Sequence, residues 1–159
     1  MKTSCGIIPF RKNEEGEMEF FVGHPGGHYN NQKDLWMFLK GAVENNETWS
    51  ETALREFKEE TGLTMEDCEI SNLIPLGSVQ QNPHKIAVAF GLYYPNIDPE
   101  KCFSNTIDGI TPEIDKYCWM TYDQIRRYTH PTHMFFYESL LRENQPFQWW
   151  DDSSNVNYF

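Results

Sequence analysis

Short apolar runs separated by polar turns occupy the first forty or so residues, and one strongly patterned amphipathic segment follows them. Residues 3–10 are apolar enough for a strand, and Pro9 within them points to an edge position or a bulge, because proline cannot donate to a ladder. Residues 18–22 form a second strand candidate, and the polar stretch 12–17, with Gly16 at a turn position, makes the pair a hairpin. His24-Pro25-Gly26-Gly27 breaks regular structure, and a polar loop leads to a short apolar run at 35–39 that reads as a strand ended by Lys40-Gly41.

A helix is predicted over Trp49–Thr61. Thr48 followed by Glu51 fits a capping box, and Gly62 before Leu63 is a C-terminal cap able to take positive φ. Residues 74–79 and 85–94 read as strands, the second so continuously apolar that it predicts a central strand, with the turn at 80–84. The irregular stretch 95–112 is long enough to predict a binding or lid role. A last strand at 114–120 precedes two helical pieces, 121–127 and 133–142, separated at Pro131. Strands before, between and after helices indicate a mixed α/β or α+β domain, and neither a dinucleotide-type glycine-rich turn nor a P-loop is present.

Composition narrows the function classes. The chain of 159 residues is the size of one domain, and its 15% aromatic content supplies enough buriable surface to offset chain entropy. A domain over 1–144 and an aromatic, acidic tail over 145–159, packed on the domain, in an interface or frayed, is the expected organisation. The net charge of −11 repels polyanions, so no DNA or RNA partner is expected, while a small phosphorylated substrate remains compatible if a divalent cation reverses the local field. Cys5, Cys68, Cys102 and Cys118 are widely spaced and predict free thiols in a reducing compartment. No apolar run is long enough to cross a bilayer, so a soluble cytoplasmic protein, monomer or homodimer, is expected.

The chemistry concentrates on the helix. Glu56 and Glu60 lie one turn apart, about 40° around the axis, with Glu59 about 60° to the other side. Ala53 falls beside Glu60 and Phe57 only about 60° beyond it, so two acids border the face that packs inward. Crowded carboxylates next to a core repel and are costly to desolvate unless a cation neutralises them, and such hard oxygen donors suit Mg²⁺ or Mn²⁺. An exposed acidic run interspersed with Arg55 and Lys58 is the competing reading of helix composition alone.

Gly41, Glu47, Arg55, Glu56, Phe57, Glu59, Glu60, Gly62 and Leu63 stand in one register across residues 41–63, and in that register the segment resembles the Nudix box at every fixed position. The resemblance implies an α/β fold, the Nudix-type α/β/α sandwich with a mixed β-sheet, and hydrolysis of a diphosphate linkage in a nucleoside di- or polyphosphate derivative. It implies Glu56 and Glu60 as the principal metal carboxylates, with the Gly41 carbonyl as a further ligand. Glu59 is either another ligand or the group that orients and deprotonates the attacking water. Arg55 and Glu47 resemble the internal ion pair of the box, which makes Arg55 a frame for the catalytic acids rather than a substrate clamp.

Outside the box the correspondence is architectural. Some small bacterial Nudix proteins resemble this chain in carrying His24-Pro25-Gly26-Gly27 and Lys33-Asp34, but where they have proline and a glutamate around the box glycine this chain has Leu39 and Ala42, with Glu44 a partial replacement. Lys40 is a candidate phosphate contact, Lys33 a weaker one, and His24 and His28 are candidates for phosphate or base. Relatives often supply a further carboxylate from a downstream loop, and Glu113 is the first choice for it, Glu100 the second. Tyr93, Tyr94 and Phe103 are candidate base-stacking side chains, core packing being the better reading for at least one tyrosine. Pro83 is the nearest match to a proline found after the box in many ADP-ribose hydrolases, whereas 76–81 resembles dinucleoside polyphosphate and nucleotide hydrolases. The expected substrate is a dinucleoside polyphosphate or an NTP. The alternatives are ADP-ribose or a nucleotide sugar, or a non-catalytic domain that binds a nucleotide or a protein.

Overall fold

The computed structural model describes residues 1–27, 34–64 and 71–143, so Cys68 and the tail 145–159 lie outside the described residues. The chain opens with strands β1 (Lys2–Lys12), β2 (Met18–Pro25) and β3 (Leu39–Ala42), followed by helix α1 (Trp49–Thr61). Strands β4 (Ile74–Asn82), β5 (Lys85–Tyr93) and β6 (Ile114–Thr121) come next, and helices α2 (Tyr122–Tyr128) and α3 (Met134–Glu143) close the described chain. Between the last two helices Pro131–His133 forms a 3₁₀ turn, and another lies at Pro99–Lys101 in the irregular stretch before β6.

The sheet runs β4-β5-β1-β2-β6, with β3 paired to β1 beside this path. Only β1 and β5 are parallel, so the sheet is mixed. One edge of β1 serves two partners: Ser4 to Ile7 pair with β3, and Phe10 to Lys12 pair with β2. The incoming chain at Met37 meanwhile bridges Gly23 of β2 through two backbone bonds of 2.9 and 3.0 Å. The segment 37–42 therefore wedges between two strands that diverge. Gly6 makes the wedge possible, because a Cβ there would stand 2.0 Å from the Leu39 carbonyl oxygen.

This arrangement corrects two readings. Pro9 lies in a central strand rather than at an edge, but it sits where β1 changes partner from β3 to β2, so its missing N–H removes no rung of those two ladders. The strand expected at 35–39 begins where it was expected to end, because Lys40 and Gly41, which look like a loop start, supply the backbone rungs opposite Gly6 and Cys5. The hairpin turn is as predicted: Asn13 Oδ1 accepts from Glu15 N and Glu17 N, and Gly16 takes φ +80°.

Alternation along the strands splits the core into two layers. On one face Cys5, Ile7, Phe21, Leu39, Val88 and Phe90 pack against Ala53 and Phe57 of α1. On the other, Ile8, Phe20, Val22, Ala87 and Ala89 pack against Ile125 of α2 and Phe136, Tyr137 and Leu140 of α3. The result is an α/β/α sandwich. Cys5, Cys102 and Cys118 are free thiols, and burial pushes Cys5 up to about 12, which leaves it an inert core side chain. No helix among the described residues is long and apolar enough to cross a membrane.

His133, at the end of the 3₁₀ turn before α3, is fully buried and packed edge-on against Phe38, with Nε2 2.9 Å from Gln81 Oε1 and Nδ1 without a partner. Burial, with the charge of Lys40 behind it, lowers its pKa from 6.5 to about 3. The unfolded chain thus binds a proton that the folded chain refuses. The associated stability is complete above pH 6.5 and is lost progressively as pH falls toward 3. Denaturant unfolding should show His133 costing the wild type about 2 kcal/mol between pH 7 and pH 5. His133→Phe should lose correspondingly less over the same interval.

Candidate functional site

The site is built from the end of β3, the whole of α1 and the loop that precedes β6. Helix α1 starts as its sequence directs: Thr48 Oγ1 accepts from Glu51 N at 3.2 Å and Glu51 Oε1 accepts from Thr48 N at 2.8 Å, closing the capping box. It ends at Gly62, which takes φ +77° and donates its N–H to the Lys58 carbonyl. Ala53 and Phe57 seat the helix on the sheet, and this places Glu56 and Glu60 at the boundary of the core, both buried.

Arg55 ties these parts together. Its Nε and Nη2 grip Glu47 at 2.7 and 3.0 Å, Nη2 also reaches the Ala42 carbonyl at 2.9 Å, and Nη1 donates to Glu56 Oε1 at 2.8 Å and Glu59 Oε2 at 3.2 Å. A guanidinium has five N–H donors, and all five are engaged. Glu47 is in turn fixed by Glu44 N and Thr52 Oγ1, each at 3.0 Å, and the Arg55 bonds hold its carboxyl down at about 2. The side chain of Glu44 stays 3.8 Å from Arg55, a peripheral charge.

Gly41 makes room for the acid. A Cβ at this position would stand 2.0 Å from Glu56 Cδ, so only glycine lets the carboxylate lie against the β3 backbone. Burial, reinforced by Glu59 and Glu113 and opposed by Arg55, raises the Glu56 pKa. Glu60 is pushed further, up to about 9, by burial first and then by the charges of Glu56 and Glu113, with Lys40 opposing. Its Oε2 is buried with no hydrogen-bond partner. The pKa of Glu113 is itself raised by burial and by Glu59, so the structure brings this loop carboxylate into the electrostatic range of all three helix acids.

A buried carboxyl oxygen without a donor, beside two further acids, is an arrangement that a hard divalent cation satisfies and a proton satisfies only at the cost of the ligand's charge. Glu56, Glu60 and Glu113, with the Gly41 carbonyl beside Glu56, have the right donor chemistry for Mg²⁺ or Mn²⁺. Among the described residues no three acids already stand as a ligand triad, and Arg55 Nη1 donates to Glu56 Oε1.

The remaining candidates fall in different places. Lys40 alternates to the face of the sheet opposite Gly41, beside Gly6, and its pKa is lowered by burial and by Lys85 while Glu60 and Glu56 oppose the shift. His24 is buried at the end of β2, with Nδ1 2.8 Å from Asp115 Oδ1 and its ring edge-on to Trp36, so its ring is held inside the fold rather than presented to solvent. His28 and Lys33 lie outside the described residues. Glu100 sits exposed on the 3₁₀ turn after Asp98, while Glu113 is the loop acid whose charge reaches the helix acids. Tyr94 stacks on Phe57 in the core layer, Tyr93 is exposed beside Phe10, and Phe103 is exposed over Gly62. Sequence reasoning missed Tyr117, whose hydroxyl donates to the Glu60 carbonyl, and Asn105, whose N–H donates to the Glu59 carbonyl at 3.0 Å. No local pattern marks either, because each acts across the fold.

The family model described as NUDIX domain matches residues 3–142. A search of curated proteins finds no match. Among solved structures the chain is similar to a MutT protein from Methanosarcina mazei Go1, at 24% identity and a TM-score of 0.61, covering 91% of this chain and 95% of that one. It is similar to a C. elegans Ap4A hydrolase in a binary complex, at 18% identity and a TM-score of 0.59, covering 89% and 98%. A MutT/nudix family protein from Enterococcus faecalis matches at 18% identity and a TM-score of 0.57 over 76% of this chain, which spans 43% of that protein's chain.

Two substitutions test the frame. Arg55→Lys retains the charge but cannot reproduce a planar fork with five donors, so denaturant unfolding should show a loss of about 1–3 kcal/mol. Gly41→Ala should displace the Glu56 carboxylate from β3, and a crystal structure of that variant should show the Arg55 Nη1 to Glu56 bond lengthened or broken.

Proposed function

The chain belongs to the NUDIX domain family, a membership that implies pyrophosphohydrolase activity on phosphoanhydride bonds, and we propose that it hydrolyses a diphosphate linkage in a dinucleoside polyphosphate or NTP with the help of Mg²⁺. The observation that carries this reading is the buried, partnerless Oε2 of Glu60 in the field of Glu56 and Glu113. Glu56, Glu60, Glu113 and the Gly41 carbonyl would hold the cation, with Glu59 as a further ligand or as the base. When bound, the cation supplies charge compensation for the phosphoryl oxygens during cleavage.

The protein groups have separate tasks. The Glu59 side chain is 38% exposed against 10% for Glu56, so of the two Glu59 is the more open to water, which favours its role as the base that takes the proton of the attacking water over that of a further ligand. Water adds to phosphorus, the bridging P–O bond breaks, and two phosphorylated products leave. Arg55 has no donor left for substrate, and its task is to keep Glu56 and Glu59 in place. Lys40 and Lys85 repel one another across the sheet, and a substrate phosphate beside Lys40 would relieve that repulsion.

The resemblance of residues 76–81 to dinucleoside polyphosphate and nucleotide hydrolases supports the choice of substrate class, and the three thiols that are free among the described residues fit a reducing cytoplasm. The test is product analysis after incubation with a panel of Ap4A, NTPs, ADP-ribose and nucleotide sugars, with Mg²⁺ or Mn²⁺. Cleavage of Ap4A or an NTP is expected, and preference for ADP-ribose or a nucleotide sugar would replace the substrate class. Glu60→Gln should reduce turnover at least about 100-fold. The metal-free variant should match or exceed the wild type in Tm, because a neutral amide replaces a carboxyl that burial already disfavours as an anion. Absence of turnover across the whole panel by the folded wild type would refute the proposed activity.

A further inference from the structure

The last four carbonyls of an α-helix have no partner within it. In α1 every one of them is satisfied. The Lys58 carbonyl accepts from Gly62 N at 2.8 Å, the Glu59 carbonyl from Asn105 N at 3.0 Å, the Thr61 carbonyl from Phe103 N at 3.1 Å, and the Glu60 carbonyl from the Tyr117 hydroxyl. Three of the four donors therefore come from the segment 103–117, far downstream, and this is the segment that bears Glu113.

The contact continues as a relay of peptide groups. Asn105 uses its N–H on the Glu59 carbonyl and its own carbonyl on Glu113 N, at 2.9 Å, and the Glu113 carbonyl then accepts from Gly26 N at 2.7 Å. Glycines allow the close approaches: a Cβ at Gly62 would stand 2.5 Å from the Phe103 ring, and one at Gly26 would stand 2.1 Å from the Pro112 carbonyl oxygen. Ser104 Oγ accepts from Ile114 N at 3.0 Å, and Asp108 accepts from Ile110 N and Thr111 N, so the loop between is closed on itself.

Glu113 needs such a restraint. It approaches three like charges, and an untethered loop would swing it outward into water, where repulsion and desolvation are both relieved. We propose that Tyr117, through its hydroxyl on the Glu60 carbonyl, and the Asn105 peptide, through its bond to the Glu59 carbonyl, are positioning groups that lock the Glu113 loop onto the last turn of α1. The proposal rests on the reading of Glu113 as a member of the carboxylate set. Both groups act through main-chain carbonyls of α1.

The test compares Tyr117→Phe, Glu113→Gln and the double variant. Phenylalanine keeps the stacking of residue 117 on Phe21 and removes only the hydroxyl. Mn²⁺ affinity, followed by electron paramagnetic resonance, should fall about three- to ten-fold in Tyr117→Phe. The double variant should bind Mn²⁺ no more weakly than Glu113→Gln alone. In the metal-free protein, amide exchange at Phe103, Asn105 and Glu113 should accelerate by a similar factor while exchange in β1 and β5 is unchanged, and kcat should fall more than KM rises. Mn²⁺ binding by Glu113→Gln equal to that of the wild type would remove Glu113 from the set and overturn the proposal at its premise. Weakened binding by Glu113→Gln beside unchanged binding and exchange in Tyr117→Phe would overturn the positioning role alone, as would additive losses in the double variant.

Discussion

The approach of the Glu56 carboxylate to the backbone of Gly41 is the constraint around which the rest of the site is arranged. It brings an acid from a helix against a strand with no side chain between them, and it survives because Arg55 spends one hand on Glu56 and Glu59 and the other on Glu47 and the Ala42 carbonyl. An isolated surface pair of this kind contributes little. Here one cation is shared among three carboxylates and a carbonyl at the border of a core, and the whole turn between β3 and α1 is organised around its planar fork.

That constraint would be useless without a strand in the right place. β3 exists only because β1 and β2 diverge, leaving one edge of β1 open to Lys40 and Gly41. Gly6 admits the close crossing and Pro9 marks the fork. The two core layers then hold α1 on one face and α2 and α3 on the other, so the acids of α1 are pressed toward the sheet by the same packing that buries Phe57.

Burial also sets the chemistry of the acids. A glutamate ionises readily in water, but Glu60 resists ionising here because it is buried among other carboxylates, and Lys40 offsets this only in part. The fold thus maintains an electrostatic tension that the divalent cation of the proposed reaction would relieve, which connects the packing of one helix to that proposal.

Much of this was legible beforehand, and for local reasons. Thr48 with Glu51 and Gly62 mark the ends of α1 because caps are decided by residues within a turn of each other, and the spacing of Gly41, Glu47, Arg55, Glu56, Glu59 and Glu60 marks the box because all lie on one contiguous segment. The strands were legible from alternation and apolar runs, except where the ladder was extended by residues such as Lys40 and Gly41 that have no strand preference of their own. Only the tertiary structure shows that the charge of Glu113 reaches the helix acids, that the buried His24 ring lies against Asp115, and that Asn105 and Tyr117 close the end of the helix. Those outcomes depend on hydrogen bonds and charges between segments far apart in the chain, and the sequence carries no periodicity that links them.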